Sequence, residues 1–142
     1  MNIRKMTRKD LSFLPPLAEQ LGYKCSLEEV FSRFELLAED DGVGLFIGEI
    51  EGSIIAFMQI HQNSTLLTGK RAELDAVVID EHFRGQGFGR KMMAAAEDWV
   101  RSKELPKLRL GSKTSRTDTH EFYKQYGFTV EKTWFVFSKP VR

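Results

Sequence analysis

The sequence has one cysteine, Cys25, among 142 residues. It can therefore form no intrachain disulfide, and a cysteine-rich metal site is excluded. A reduced, intracellular setting is the expectation. Long apolar runs are also missing. No stretch approaches the roughly 20 apolar residues needed to span a bilayer, and the opening MNIRKMTRKD lacks the apolar centre of a signal peptide. A cytoplasmic protein with no membrane partner is expected. Repeats and low-complexity linkers are absent, and prolines number only four. At this length one domain, residues 1–142, is the expectation. Net charge is +1, too small for a global pull toward nucleic acid. With 42% hydrophobic and 29% charged residues, the chain has the composition of an ordinary folded domain.

Charge is unevenly spread. Ser26 to Glu51 holds eight acidic residues and one basic residue, a net of −7. Arg84 to Lys132 holds eleven basic and six acidic residues, a net of +5. Solvated helix faces account for both. A polyanionic ligand near the second segment and a cationic one near the first are the sharper reading, but charge alone favours solvated faces.

Periodicity places the elements. Met1 to Met6 reads as a short strand. Asp10 to Leu21 has apolar residues at helical spacing, with a kink or late start at Pro15-Pro16 and a stop at Gly22. Ser26 and Glu29 form a capping-box pattern that opens a helix to about Glu39. Gly44–Ile50 and Ser53–His61 read as a hairpin turning at Glu51-Gly52. Arg71–Ile79 is a further strand and Phe88–Lys103 an amphipathic helix. Lys107–Leu110 is a short strand. Asp118–Tyr126 is a helix with Asp118 and Glu121 placed for a second capping box and Gly127 for a left-handed cap. A strand pair over Phe128–Phe137 closes the chain. The order β-α-α-β-β-β-α-β-α-β-β predicts a mixed α/β fold (α+β), with helices flanking a largely antiparallel sheet.

Between the apolar run Ala76-Val77-Val78-Ile79 and the helix at Phe88 lies Arg84-Gly85-Gln86-Gly87-Phe88-Gly89. Glycines on a strand-to-helix loop let backbone N–H groups approach a ligand, and the helix dipole adds positive potential there. Phosphate suits such a nest. The P-loop pattern is absent, because Gly85 is followed five residues later by Arg90 rather than Gly-Lys. The G-x-G-x-x-G dinucleotide pattern is absent too, and this loop comes after three strands and two helices rather than first. ATP and NAD are therefore disfavoured.

Arg84, Gly87 and Gly89 match R/Q-x-x-G-x-G/A. The stretch LDAVVIDEHFRGQGFGRKMM resembles the acetyl-CoA-binding core of the GCN5-related N-acetyltransferases (GNAT), and THEFYKQYGF resembles that family's second signature, F-Y-x-x-x-G-F. Both occur in the family's order, and the element order along the whole chain resembles the family's. The resemblance implies a GNAT-like fold with splayed strands and an enzyme that moves an acetyl group from acetyl-CoA to a primary amine, by direct attack in a ternary complex.

It also implies residue roles. Arg84, Gly85, Gln86, Gly87, Phe88 and Gly89 would hold the CoA pyrophosphate. The backbone of Val77, Val78 and Ile79 would hold the pantetheine amides, with an N–H near Val77 for the oxyanion. Tyr123 would protonate the departing thiolate. Asp75 occupies the place where some members carry a base, and Glu73 lies one strand period away; either could act through water, or be simply solvated or salt-bridged. Arg116 stands where many members have a cofactor-contacting asparagine. No metal is implied.

Other features stay open. His120, one turn before Tyr123, suits a base or a structural hydrogen bond. His61 and His82 lack metal-ligand spacing. Trp134, Phe135 and Phe137 suit an acceptor pocket or strand packing. Glu28, Glu29, Glu35, Asp40 and Asp41 are candidates for attracting a cationic small-molecule or peptide amine acceptor. A homodimer follows from the resemblance alone. The competing function is a non-catalytic acyl-CoA-binding sensor or regulatory module, against which Tyr123 argues. Nucleic-acid binding lacks a motif.

Overall fold

The computed structural model describes residues 1–142. The chain divides into two units, Met1–Gly111 and Ser112–Arg142.

The first unit carries a five-stranded sheet in the order β1-β2-β3-β4-β5: β1 (Asn2–Lys5), β2 (Val43–Ile50), β3 (Ser53–Thr65), β4 (Gly69–Ile79) and β5 (Leu108–Leu110). Neighbours are antiparallel except β4 and β5, which are parallel. Hairpins need only short turns, so β2 and β3 follow directly through Glu51-Gly52, both at positive φ (49° and 83°) as a type I′ turn requires. The parallel step from β4 to β5 needs a crossover, which α3 (Phe88–Ser102) supplies.

The expected helix over 10–21 is a 3₁₀ segment (Arg8–Phe13) followed by α1 (Leu14–Gln20). Pro15 and Pro16 fall in the first turn of α1, where their missing N–H groups cost nothing. The capping box of α2 (Leu27–Leu37) forms as expected: Glu29 N–H donates to Ser26 Oγ (3.1 Å), and Ser26 N–H donates to the Glu29 carboxylate (2.9 Å).

Two strands run further than the sequence predicts. β3 continues to Thr65 and β4 begins at Gly69, so the polar stretch between them is a second long hairpin. Polar residues on both faces hid this continuation from an alternation count.

One sheet face packs on the N-terminal helices. Met6, Leu11, Leu17, Val30, Leu45, Ile47, Phe57 and Val78 form a buried cluster there. The other face receives α3, whose Met92, Met93, Ala96, Trp99 and Val100 are buried. Gly44 shows how close that approach is: a Cβ there would lie 2.8 Å from both Ile60 Cγ2 and Trp99 Nε1. A buried ion network ties the N-terminus down. Asp10, 5% exposed, accepts both terminal nitrogens of Arg4 at 2.8 Å and the Thr7 N–H at 2.7 Å.

In the second unit, α4 (Thr117–Tyr126) forms, but not with the expected capping box. The helix starts one residue early, with Arg116 at its cap and no side-chain cap bond, which puts Asp118 inside the first turn. The expected strand pair over 128–137 does not form; residues 128–142 adopt no helix or strand. Aromatic and β-branched composition satisfies only half of what a strand needs. Its backbone must also find a ladder partner. Trp134, Phe135 and Phe137 are exposed, with the Lys132 ammonium 4.5 Å from the Trp134 ring centre.

No helix is long and apolar enough to cross a membrane.

Candidate active site

The site begins with how β4 ends. Its pairing with β5 covers only Ala72, Glu73 and Leu74. From Asp75 to Ile79 the strand keeps β3 on one side and has no strand on the other. Alternate residues therefore direct N–H and C=O groups toward that open side. Val78 is buried at 3% exposure. The Ala76–Ile79 run thus buries the Val78 side chain while its outer backbone edge stays open.

The chain then turns into α3. Asp80 caps a short 3₁₀ turn (Glu81–Phe83) by accepting the His82 N–H at 3.0 Å, which holds the Asp80 carboxyl below the usual range. Gly85 (φ 80°) and Gly87 (φ 82°) adopt the left-handed region, which glycine enters without strain. A Cβ at either would meet no protein atom within 4 Å. Backbone conformation, not crowding by the protein, therefore explains these two glycines. Gly87 is the N-cap of α3 and provides no side-chain cap. The first N–H groups of a 15-residue helix are left for another acceptor, at the positive end of its dipole. An anionic phosphate fits that cradle.

Arg84, expected to help hold the CoA pyrophosphate, is also engaged with the protein itself. Its Nε donates to the Ile79 carbonyl (2.9 Å) and its Nη2 to Gln20 Oε1 (3.3 Å). The guanidinium pins the loop to the end of β4 and to α1. Gln86 and Arg84 are exposed, and Phe88 and Gly89 are half-buried.

The two candidate carboxylates on β4 have different surroundings. Glu73 lies 3.1 Å from Arg71 Nε and 3.4 Å from Arg109 Nη1, at ion-pair range without hydrogen-bond alignment. Asp75 stands at a register shift. Ala76 pairs Gln59 and Leu74 pairs Ile60, so Asp75 is an extra residue opposite none. Such a bulge re-aims a side chain, and here the Asp75 carboxylate meets His61 Nδ1 at 2.7 Å. Burial pushes the Asp75 carboxyl above its ordinary value, and the His61 hydrogen bond opposes that rise. Sequence reading passed over His61 except as a metal ligand. The pair depends on the β3–β4 register, which no local pattern announces.

In the second unit, the F-Y-x-x-x-G-F signature becomes a helix terminus. Gly127 (φ 114°) donates its N–H to the Lys124 carbonyl (3.1 Å), and Phe128 N–H donates to the Tyr123 carbonyl (2.9 Å). This is a Schellman motif, and its usual apolar contact is the Tyr123–Phe128 ring pair, 5.7 Å between centres. Phe122 packs edge-on to Tyr123 from the other side at 5.5 Å. Burial pushes the Tyr123 phenol up, while the Arg116 charge opposes. His120 donates from Nε2 to the Lys113 carbonyl (2.9 Å), which is a structural hydrogen bond.

Of the acidic residues near the N-terminal helices, Glu29 is engaged in its cap and with Arg33 (3.2 Å), and Glu35 pairs with Arg8. Asp40 accepts the Gly42 N–H at 2.8 Å. No group of three or more His, Cys, Asp or Glu is arranged to hold a metal.

Known proteins place the chain. Residues 10–128 match the sequence profile of the acetyltransferase (GNAT) family. An uncharacterised N-acetyltransferase of Bacillus subtilis (strain 168), YhdJ, is 27% identical over 127 residues, 89% of this chain and 88% of the relative. An aminoalkylphosphonate N-acetyltransferase of Salmonella typhimurium is 30% identical over 94 residues, 66% of this chain and 58% of the relative. In fold, the chain superposes on the aminoglycoside N-acetyltransferase AAC(6')-Iy in complex with CoA, with a TM-score of 0.87 over 99% of this chain and 95% of that one, at 19% identity. With most of its length matched by the family profile, the chain belongs to the GNAT family and is an acetyltransferase.

Proposed function

We propose that the protein transfers the acetyl group of acetyl-CoA to a primary amine by direct attack. The observation that carries this reading is the uncapped N-terminus of α3, entered through Gly85 and Gly87 at positive φ, at the end of a strand whose outer edge is open from Asp75 to Ile79. An anionic pyrophosphate suits the first feature and an amide-bearing pantetheine arm suits the second.

The family resemblance then supplies the roles within this reading. The loop 84–89 binds phosphate oxygens through backbone N–H groups, and Val77, Val78 and Ile79 bond the pantetheine amides. The amine nitrogen attacks the thioester carbon, and its proton leaves toward the Asp75 end of β4, with Glu73 the secondary candidate. Backbone N–H near Val77 stabilises the oxyanion. Collapse breaks the C–S bond, and the Tyr123 hydroxyl protonates the thiolate; solvent restores the tyrosine proton. A phenol raised by burial stays protonated at neutral pH, as a donor must. Arg116 contributes positive charge for CoA phosphates. We take the protein to work as a single domain, free in the cytoplasm, on a small-molecule or peptide amine.

Calorimetric titration with acetyl-CoA tests this. The wild type should bind saturably at one site, and an Arg84→Ala, Gly87→Ala double variant should lose at least tenfold in affinity. No heat of binding from folded wild type would overturn the assignment.

A further inference from the structure

We propose that His61 takes the proton from the attacking amine, with Asp75 as the positioning residue that fixes its tautomer. This rests on the transfer reading above and names the base within it.

Four observations converge. The Nδ1–Oδ2 distance of 2.7 Å is a full hydrogen bond. An ionised carboxylate only accepts, so Nδ1 carries the proton and Nε2 is left with a lone pair. An imidazole held that way is a ready proton acceptor, as the amine requires. Second, the register sets the pair: Glu73 lies opposite His61, and Asp75, one strand period further on and at the bulge, comes beside it on the same side of the hairpin. Third, Asp75 is the first β4 residue beyond the β5 pairing. It lies four residues, roughly 13 Å at strand rise, from the end of β4 where the glycine loop begins. The dyad therefore stands at the far end of the open edge from the phosphate cradle, where a thioester carried along that edge would end. Fourth, the His61 side chain is 38% exposed, so an amine can reach the ring.

The charged groups around the dyad leave the role to His61. Glu73, opposite His61 in register, is neutralised by Arg71 and Arg109. On β2 the residue opposite His61 is Val43, which carries no charge. The step balances: the nitrogen lone pair forms the C–N bond, the N–H proton moves to His61 Nε2, and the imidazolium is stabilised by Asp75. The proton returns to solvent after CoA leaves.

The test uses the full chain saturated with acetyl-CoA, with methylamine, glycinamide and spermidine as probe amines and thiol release as the readout. Acetyl-CoA affinity is measured on the same samples by calorimetry. His61→Ala should slow release on the order of 10²-fold or more, with affinity unchanged within about twofold, and added imidazole should restore rate in His61→Ala but not in wild type. His61→Ala releasing thiol at the wild-type rate overturns this inference and leaves the transfer reading standing. A slowed variant that imidazole does not rescue, or one with lost acetyl-CoA binding, assigns His61 a structural role and also overturns it. A wild type that binds acetyl-CoA but releases no thiol with any probe overturns the base assignment together with the transfer reading.

Discussion

The side-chain oxygen of Gln20 accepts from the Arg84 guanidinium at 3.3 Å and from the Glu81 N–H at 2.9 Å, so the last turn of α1 holds the glycine loop that begins α3. Residues more than sixty positions apart thereby set the backbone of the proposed phosphate cradle. Gln20→Ala removes both bonds, each worth about 0.5–1.5 kcal/mol. The affinity for acetyl-CoA should fall by roughly three- to tenfold, with little change in melting temperature, because Gln20 is not in the core. Calorimetry beside a thermal melt checks this.

The cap of α4 makes a sharper prediction. Gly127 at φ 114° orders the bond from Phe128 N–H to the Tyr123 carbonyl and so the ring contact on Tyr123. Gly127→Ala forces an L residue into the left-handed region, at a cost of about 1–2 kcal/mol. Activity should drop with the orientation of Tyr123 while acetyl-CoA binding holds. The comparison to make is kcat of this variant against Tyr123→Phe.

Asp10 is the group through which acid should loosen the fold. The Arg4 hydrogen bonds hold its carboxyl below the usual range, and burial opposes them only partly. A depressed carboxyl stabilises above its unfolded pKa, about 3.9, and that contribution is lost as pH falls through the lower folded value. Asp10→Asn should cost about 2–4 kcal/mol at pH 7, since it leaves the arginine without its buried partner. The difference from wild type should shrink below pH 4. Urea melts at a series of pH values measure it.

Asp75 should behave with the opposite sign. Burial raises its carboxyl, so the native state holds that proton more tightly than the unfolded chain. The associated stability is complete below about 3.9 and is lost as pH rises through the folded value. Asp75→Asn removes this cost. The variant should be more stable than wild type at pH 7, no more stable at pH 3, and slower in thiol release. A stability loss at pH 7 would contradict the burial argument.

Much of the fold is legible in short segments because their signals are local. The Ser26–Glu29 capping box, the Glu51-Gly52 turn, the glycines before α3 and the Gly127 cap each depend on hydrogen bonds spanning a few residues. The residue types at those positions nearly determine the conformation. The same locality made RGQGFG legible as a strand-to-helix loop and FYKQYGF as a helix end, while the roles expected of them rest on the family resemblance.

What the tertiary structure alone decided lies between segments distant in sequence. The β3–β4 register carries a bulge at Asp75, and one residue of slip decides which face a side chain occupies; nothing in either strand declares it. His61 therefore looked ordinary until the hairpin placed it against Asp75. The tie between Arg84 and Gln20 exists only because packing brings α1 beside the glycine loop. The strand pair over 128–137 shows the limit from the other side. Composition alone suggested strands, but a strand is also a backbone pairing, and residues 128–142 adopt no strand. The sequence by itself determined the caps, turns and glycine cradle, because those are bonds a chain makes with its near neighbours. The partners of Asp75, Glu73 and Arg84 were decided only when packing brought remote residues within hydrogen-bond or ion-pair range.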